Sequence, residues 1–230
     1  MSNVVAALAR IERVTLNGLA YDGLKRALLS GRLEPGATLT LRQLADELGT
    51  SMMPVREAVT RLAAENALAV LPNRGIVVPA LDANEAADIW EQRIHLEGEA
   101  SARAARRADS STVSRLRGLA DAVERAAHAG DLHEVLERNS EFQWAIYRAA
   151  ESRVLLQLIE ILRMQSVPHC TAALRVLIAE RPAYFARSFH NHSALVEAIA
   201  RGDAAAARRI KRTDLKEYRD FVNHIHGRPR

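Results

Sequence analysis

The sequence of 230 residues has little of several features that mark specialised classes of protein. Its single cysteine, Cys170, excludes an internal disulfide and a zinc finger built on cysteine ligands. The 11 glycines and 7 prolines are too few for a low-complexity chain. No apolar run approaches the roughly 20 residues that span a bilayer, and the N-terminus has no basic segment followed by a cleavage site. We therefore expect a soluble, cytoplasmic protein that makes no membrane contact.

Short motifs that mark common enzyme sites are also missing. The sequence contains no G-x-G-x-x-G, no Walker loop, no H-E-x-x-H and no G-x-S-x-G. Its net charge of +4 permits contact with nucleic acid but is too small to argue for it. We therefore expect no catalytic residues, and we keep a helical-bundle enzyme or scaffold as an alternative.

Hydrophobic patterning divides the chain into two regions. Up to about residue 80, short helical patterns alternate with turn signals, and the stretch LAVLPNRGIVVP predicts a small β-hairpin. After Pro79 the helical period recurs almost to the end, without a further strand signal. We predict about seven helices there, near 84–108, 111–129, 131–150, 152–165, 168–180, 182–201 and 203–225. The fold class is therefore mainly α, with the second region an antiparallel helical bundle.

Two short helical patterns in the first region are separated only by Gly49, Thr50 and Ser51. Ala45, Gly49 and Val55 stand at offsets 0, 4 and 10, which suit a small residue at a helix crossing, a turn glycine and an apolar anchor. Ser51 is a favourable N-cap for the second helix. This spacing predicts a helix-turn-helix whose second helix enters a major groove, and the following hairpin makes it a winged helix. The alternative is a small helical subdomain that does not bind DNA.

Three stretches of the first region resemble the N-terminal signature of GntR-family bacterial transcription regulators. They are LLSGRLEPGATL, LRQLADELGTSMMPVREAVTRLAAENALAV and PNRGIVV, within about residues 18–79. The helical remainder resembles the FCD effector domain of that family. The resemblance implies a winged helix-turn-helix at 16–79, a linker at 80–84, and an effector-binding and dimerisation domain at 85–226. An N-terminal arm (1–15) and a C-terminal tail (227–230) would flank them.

By this resemblance, the positions that contact DNA fall on Arg42, Ser51, Met52, Arg56, Asn73, Arg74 and Gly75. Arg42 would touch phosphate or a base, and Ser51 would bind phosphate while capping the helix. Arg56 would reach a guanine edge, because its planar fork matches O6 and N7. Gly75 would let the backbone approach the DNA closely. For the wing tip, the alternative is a solvated turn.

Met52 departs from the family pattern, which usually has arginine at this position. A thioether donates no hydrogen bond, so the base contact should be absent or replaced by an apolar one. We therefore predict weaker binding or an altered operator, by about 1–3 kcal/mol at that base pair. For Arg56, the alternative to a base contact is a surface ion pair with Glu57 or Glu65.

In many FCD domains one aspartate and three histidines bind a divalent metal. The corresponding positions here are Asn139, Gln143, His192 and Asp214, so one expected histidine remains. Amides are poor ligands for zinc or nickel compared with imidazole and carboxylate. We therefore expect no metal cofactor, and His192 and Asp214 are the weak candidates if an ion binds.

The favoured interpretation of the second region is a metal-free effector pocket. Asn139, Gln143 and His192 would hydrogen-bond the effector, with Asp214 beside them, and Arg93 could form a bidentate pair with its carboxylate. The resemblance implies a small organic acid. One alternative is a buried polar network that binds no ligand.

Two further alternatives concern Arg93 and the metal. Arg93 could pair with Glu97, four residues on along a helix. The regulator could also be controlled by a divalent metal, with or without a carboxylate ligand.

These features together predict a ligand-responsive regulator of transcription. We expect a homodimer, in the family habit a repressor, that binds double-stranded DNA at a palindromic operator. Effector binding in the bundle would shift the two winged domains through the linker near residues 79–84. Such control requires the effector to bind the DNA-competent and incompetent states with different affinity.

Overall fold

The computed structural model describes the backbone of residues 16–72, 75–180 and 182–226. Side chains are described for the same residues except 132, 172–180, 182–190 and 226. The predicted arm, the predicted tail and the wing residues Asn73 and Arg74 lie outside the described residues.

The N-terminal region folds as a winged helix. Its elements are α1 (Leu16–Leu29), β1 (Thr38–Leu39), α2 (Leu41–Glu47), α3 (Met52–Ala64), β2 (Ala69–Leu71) and β3 (Gly75–Val77). The strands form an antiparallel sheet in the order β1-β3-β2, with Leu39 and Val70 both paired to Ile76. The hairpin was predicted, but β1 was not, because two residues are too short to show an alternating pattern.

The helix-turn-helix has the local geometry that its spacing predicts. Thr40 caps α2 in a reciprocal capping box with Gln43, and Gly49 ends the helix at a φ of +62°. Ala45 and Val55 are both buried where α2 and α3 meet the core. The sequence signals at these positions therefore act as expected: a cap begins the first helix and buried apolar residues hold the second.

The C-terminal region is a bundle of long helices. They are α4 (Ala83–Arg107), α5 (Ser110–His128), α6 (Leu132–Ala149), α7 (Arg153–Glu180), α8 (Pro182–Ala200) and α9 (Ala204–His226). The mainly helical fold class is confirmed. Helix α4 begins inside the predicted linker, because Asp82 caps it in a second capping box with Glu85.

Segments 152–165 and 168–180 form the single helix α7, so the prediction of a break between them was wrong. Pro168 lies inside this helix and deprives it of one backbone hydrogen bond. Met164, Cys170 and Thr171 are nevertheless buried on both sides of the proline. Tertiary packing therefore holds the helix through a residue that usually interrupts one.

Two main apolar cores lie in the two regions, and α7 connects them. The bundle core is built around residues such as Phe142, Ile146 and Ile159. The winged-helix core includes Met164 of α7 among its buried members. The winged helix therefore packs directly on a helix of the bundle.

Within the described part of the chain, no helix combines the length and the apolar composition needed to cross a bilayer.

Candidate nucleic-acid interface and buried charge cluster

Ser51 occupies the N-cap position of α3, but its hydroxyl makes no capping hydrogen bond. An N-cap side chain usually accepts from the backbone N–H of the second or third helical residue. The third residue here is Pro54, which has no N–H to donate. The predicted capping bond is therefore absent, and the exposed hydroxyl of Ser51 keeps its acceptor and donor for another partner.

The start of α3 divides into a buried face and an exposed face. Val55 and Val59 are buried in the winged-helix core. Met52 and Met53 are 50% and 69% exposed, and Arg56 is exposed one turn further on. In a helix-turn-helix the N-terminal residues of the second helix are those that contact base edges, so this exposed face is the candidate DNA surface.

The alternative ion pair of Arg56 with Glu57 or Glu65 is not formed. Glu57 accepts a hydrogen bond from the Asn17 amide instead. Glu65 accepts from the Tyr21 hydroxyl at 2.8 Å and from Arg61 Nε at 3.3 Å. The acidic neighbours are thus engaged elsewhere, and the guanidinium of Arg56 is not paired with them.

Arg42 and Gly75 are the remaining predicted DNA-contact residues that lie within the described part of the chain. Arg42 is the second residue of α2, and its side chain is exposed. Gly75 begins β3 at a φ of +83°, and an added Cβ would lie 2.5 Å from the carbonyl oxygen of Leu39. The close approach that requires glycine is thus to strand β1 of the same domain, a structural reason that the sequence did not reveal.

Six side chains inside the bundle form what we call the buried charge cluster. They are Arg93, Glu97, Gln143, Tyr147, Arg163 and Lys211. Helices α4, α6, α7 and α9 supply them, and none of the six residues as a whole is more than 7% exposed. Three are cations and one is a carboxylate, so the cluster concentrates positive charge away from water.

Glu97 lies at the centre of the cluster and is fully buried. Its Oε1 accepts from Arg93 Nε at 2.8 Å, and its Oε2 accepts from the Tyr147 hydroxyl. Arg163 Nη1 and Lys211 Nζ lie 3.6 and 3.5 Å from Oε2. Burial alone would raise the pKa of Glu97, but the three surrounding cations outweigh it and lower the pKa to about 2.

Arg93 is engaged with protein partners. Besides Glu97, it donates to the Ser166 hydroxyl of α7 at 3.1 Å, and its guanidinium lies 4.4 Å from the centre of the Trp90 ring. This is the pair with Glu97 that was the alternative to a carboxylate clamp. Arg93 therefore ties α4 to α7 in this structure.

Gln143 joins the cluster to two of the other predicted effector residues. Its Nε2 donates to Asn139 Oδ1 at 3.2 Å, and its Oε1 accepts from Lys211 Nζ at 2.5 Å. The Tyr147 hydroxyl, whose single proton goes to Glu97, lies 3.2 Å from the same Oε1. The predicted i, i+4 proximity of Asn139 and Gln143 is therefore present. Both amides face protein partners on the inside of the bundle.

His192 and Asp214 lie beside the cluster on α8 and α9. The His192 ring is buried with its centre 4.7 Å from that of Phe142. Burial lowers the pKa of His192 to about 4, which the nearby Asp214 opposes and Lys211 reinforces. His192 is therefore a neutral imidazole at pH 7. Asp214 Oδ1 accepts from Asn191 Nδ2 at 3.2 Å.

The four positions that correspond to metal ligands do not suit a divalent ion. The two amide oxygens of Asn139 and Gln143 already accept hydrogen bonds, and one of the donors is the ammonium of Lys211. This cation would repel a metal at the same place. Among the described side chains, no group of three or more His, Cys, Asp or Glu is placed to hold a metal ion.

Sequence reasoning missed several members of this cluster. Glu97 was considered only as a partner for Arg93, and Tyr147, Arg163 and Lys211 were not singled out. The i, i+4 spacing of Tyr147 from Gln143 was a usable signal. Arg163 and Lys211 carried none, because they lie on α7 and α9 and meet Glu97 only through the packing of the bundle.

Both regions match known protein families. The model of the bacterial regulatory proteins of the gntR family matches residues 17–78, and that of the FCD domain matches residues 88–217. The HTH-type transcriptional regulator McbR of Escherichia coli K12 is 31% identical over 200 residues, which cover 86% of this chain and 89% of McbR.

Two more comparisons extend over nearly the whole chain. The probable D-xylose utilization operon transcriptional repressor of Paenarthrobacter nicotinovorans is 27% identical over 222 residues, 96% of this chain and 95% of that protein. The solved structure of E. coli McbR/YncC matches with a TM-score of 0.85 at 28% identity, covering 94% of this chain and all of that one. The chain therefore belongs to the GntR family of bacterial transcription regulators, as a DNA-binding member with an FCD domain, and not to a family of enzymes.

Proposed function

We propose that this protein is a homodimeric transcriptional repressor that binds a palindromic operator. A small organic acid changes its affinity for that operator. The observation that carries the DNA-binding part is the exposed N-terminal face of α3, with Ser51, Met52 and Arg56 in solvent. Two relatives support repression rather than activation, since they are named as the D-xylose utilization and gluconate operon repressors.

The DNA contacts divide into base readout and backbone positioning. Arg56 reaches a guanine edge in the major groove, where a bidentate pair is worth about 1–3 kcal/mol of discrimination. Ser51 and Arg42 hold phosphates on either side, and the wing residues 73–75 lie against the neighbouring groove or backbone. Met52 makes an apolar contact at the base pair that arginine reads elsewhere in the family.

A two-fold axis accounts for the palindrome. Two copies of α3, related by the axis of a dimer, read two half-sites whose separation is set by the distance between the recognition helices. The FCD domains form the dimer, and the winged helices follow their relative placement.

The effector site lies at the buried charge cluster and the side chains next to it. Arg93 and Gln143 belong to this cluster, in which three cations face one carboxylate, and Asn139, His192 and Asp214 lie next to it. Buried cations without a full set of anions favour an acidic ligand, because the ligand supplies the missing charge and hydrogen-bond acceptors.

Helix α7 is the route by which the effector acts on the DNA-binding domain. Arg163 and Ser166 reach the charge cluster, whereas Met164 packs in the winged-helix core. Gln165 Nε2 donates at 2.7 Å to the backbone oxygen of Glu65, the C-cap of the recognition helix. A ligand that moves α7 thereby moves α3, in addition to any effect through the segment that joins the domains.

The test of DNA binding is selection from random duplexes followed by binding titrations at several salt concentrations. We expect an inverted repeat to be enriched, a binding constant that falls with salt, and a solution mass of twice 25.4 kDa. Arg56→Ala should weaken specific binding by about 1–3 kcal/mol and relax the preference at one base pair in each half-site.

Arg153→Ala is the matched control, since Arg153 is an exposed arginine at the start of α7 in the bundle. It should leave the binding constant unchanged. Equal effects of the two substitutions, or enrichment of no sequence at all, would contradict the proposed reading of DNA by α3.

A further inference from the structure

We propose that Met52 and Met53 form an oxidation site on the recognition helix, where a peroxide converts the thioethers to sulfoxides and thereby releases the operator. This inference rests on the proposed contact of α3 with DNA and adds a chemical control that acts at that contact, separate from the effector. Three observations support it: the exposure of both thioethers, the burial of the other described sulfur groups, and the place of Met52 on the face proposed to meet the bases.

The side chains of Met52 and Met53 are open to small solutes. They are 50% and 69% exposed at the start of α3, although methionine is a residue type that is often fully buried. Val55 and Val59 hold the other face of the helix in the winged-helix core. The fold therefore does not bury either thioether, and an oxidant in solution can reach both.

The other sulfur groups of the described residues are shielded. Met164 is fully buried in the winged-helix core. Cys170 is buried in the bundle, its Sγ donates to the backbone oxygen of Ser166 at 3.1 Å, and burial raises the pKa of its thiol to about 11. A thiol of this kind reacts slowly at neutral pH, because the thiolate is the reactive form. Within the described residues, oxidation of sulfur should therefore be selective for α3.

The reaction transfers one oxygen atom and two electrons. A lone pair on the methionine sulfur attacks one oxygen of hydrogen peroxide, and the O–O bond breaks as the S–O bond forms. The proton on the transferred oxygen passes to the leaving oxygen, which becomes water. The sulfur is oxidised to a neutral sulfoxide, and methionine sulfoxide reductases reverse the step, so the modification can act as a switch.

The sulfoxide changes what residue 52 can do in a major groove. A thioether packs on the methyl group of thymine, whose other group in the major groove is the acceptor O4. The sulfoxide oxygen is a further acceptor, so thymine offers it no donor. Bringing a polar group into a contact without a partner costs free energy. Oxidation of Met52 should therefore weaken operator binding.

The experiment treats the full-length protein with hydrogen peroxide until mass spectrometry shows the gain of two oxygen atoms. Peptide mapping then assigns these atoms, and we expect them on Met52 and Met53. Operator affinity, measured by fluorescence anisotropy, should fall about fivefold to a hundredfold, while the melting temperature of the protein stays the same. Incubation with methionine sulfoxide reductases should restore the affinity.

Substitutions then separate the two residues. The readout for each variant is the ratio of its operator affinities before and after peroxide, so an effect of the substitution on binding itself cancels. Met52→Leu should bring this ratio close to one, because leucine has a similar volume and is not oxidised. Met53→Leu should keep most of the loss, since Met52 still reacts. Met164→Leu is the control in the core and should show the wild-type ratio.

Bound operator should also protect Met52 from peroxide, because the proposed contact covers its sulfur. A duplex of the same length without the operator sequence is the control, and it should protect much less at the same concentration.

Several outcomes would overturn the inference: oxygen enters Met164 or Cys170 before Met52, the oxidised protein binds the operator as before, or its melting temperature falls together with the affinity. A wild-type ratio in Met52→Leu, or an operator that leaves Met52 equally reactive, would do so too. The unmodified protein would still select an operator in these cases. If the unmodified protein selected no sequence, the proposed function itself would fail, so the two failures are distinguishable.

Discussion

Met52 places a thioether at an exposed position of the recognition helix, half in solvent and next to the equally apolar Met53. A methionine can pack on a thymine methyl group but cannot donate to a guanine. Under the proposed DNA contacts, the residue at this exposed position affects which base pair the helix prefers and much less how the domain folds.

Met52→Arg should change the sequence preference of the protein. The new guanidinium can form a bidentate pair with guanine, so duplexes with guanine at one position of each half-site should gain about 1–3 kcal/mol in binding free energy. Fluorescence anisotropy titrations on a set of operators that differ at single positions would measure this.

Met53→Arg is the control, since Met53 lies on the same exposed turn. It should tighten binding to all duplexes alike through phosphate attraction. If Met52→Arg changed neither affinity nor preference, the assignment of residue 52 to a base contact would be wrong.

His192 makes the stability of the fold depend on pH in a defined window. Its pKa is about 4 in the folded protein, against about 6.5 for an exposed histidine. Between these values the unfolded chain binds a proton that the folded one does not. The free energy of unfolding should therefore fall as the pH decreases from about 6.5 to 4, by at most about 1.4 kcal/mol for each pH unit.

Urea titrations at pH 7, 6, 5 and 4 would measure this dependence. The His192→Gln variant, which cannot titrate, should lose less stability over the same range. If the free energy of unfolding fell equally with decreasing pH in the two proteins, His192 would not be the group that causes the loss. Glu97 adds to the loss only at the acid end of this window, below about pH 5, because its pKa is about 2 in the folded protein against 4.5 when exposed, and both proteins share this contribution.

At the scale of elements, α7 packs against both the bundle and the winged helix and contacts each through different side chains. Towards the bundle it presents Arg163 and Ser166 to the buried charge cluster. Towards the winged helix, Met164 packs in its core and Glu160 forms an ion pair with Lys25 at 3.1 Å. His169 Nε2 also lies 3.1 Å from the backbone oxygen of Pro79. A helix packed in this way transmits a shift rigidly, since packed interiors do not deform continuously.

Gln165→Ala should weaken the coupling between effector and DNA without weakening effector binding. The substitution removes the 2.7 Å hydrogen bond from Gln165 Nε2 to the backbone oxygen of Glu65, which lies at the end of the recognition helix. Operator affinity measured with and without an organic acid that raises the melting temperature of the protein gives the coupling factor, which should move towards one.

Gln157→Ala is the matched control, because Gln157 is an exposed glutamine on the same helix. It should retain the wild-type coupling factor. A wild-type coupling factor in Gln165→Ala would show that effector binding reaches the winged helix by another route, such as the segment between Val78 and α4.

At the scale of the whole molecule, the two domains form a close contact where α1 ends. Gly31 follows α1 at a φ of +67°, and a Cβ added there would overlap the Thr171 hydroxyl on α7. The contact adds to the burial of Met164 in the winged-helix core. The arrangement of the domains therefore depends on a glycine that combines an unusual conformation with a tight fit.

Gly31→Ala should destabilise the protein more than Gly36→Ala. Both glycines have positive φ, +67° and +78°, so both substitutions bring the strain of about 1–2 kcal/mol that this conformation imposes on alanine. A Cβ at Gly36 would meet no atom within 4 Å, whereas one at Gly31 would collide with Thr171. We expect an additional loss of about 1–3 kcal/mol for Gly31→Ala in urea unfolding. Equal losses would mean that the domains are not docked in this way.

The local features of the chain were predictable from its order of residues. The offsets of Ala45, Gly49 and Val55 predicted the helix-turn-helix, and the helical period after Pro79 predicted the bundle. The possible pair of Arg93 with Glu97 followed from their spacing of one helical turn. The errors were also local: β1 is too short to show a period, and segments 152–165 and 168–180 were predicted as two helices where packing holds one helix through Pro168.

Each of the correct inferences concerns residues that are close in sequence, since helical period, caps and turns depend on neighbours within one or two turns. The convergence of Arg163 and Lys211 on Glu97 involves three helices, and their separation along the chain leaves no periodic trace. The same holds for the contacts of α7 with the winged helix. Tertiary packing decided these because it alone determines which distant faces meet, and hence where the positive charge of the bundle is buried.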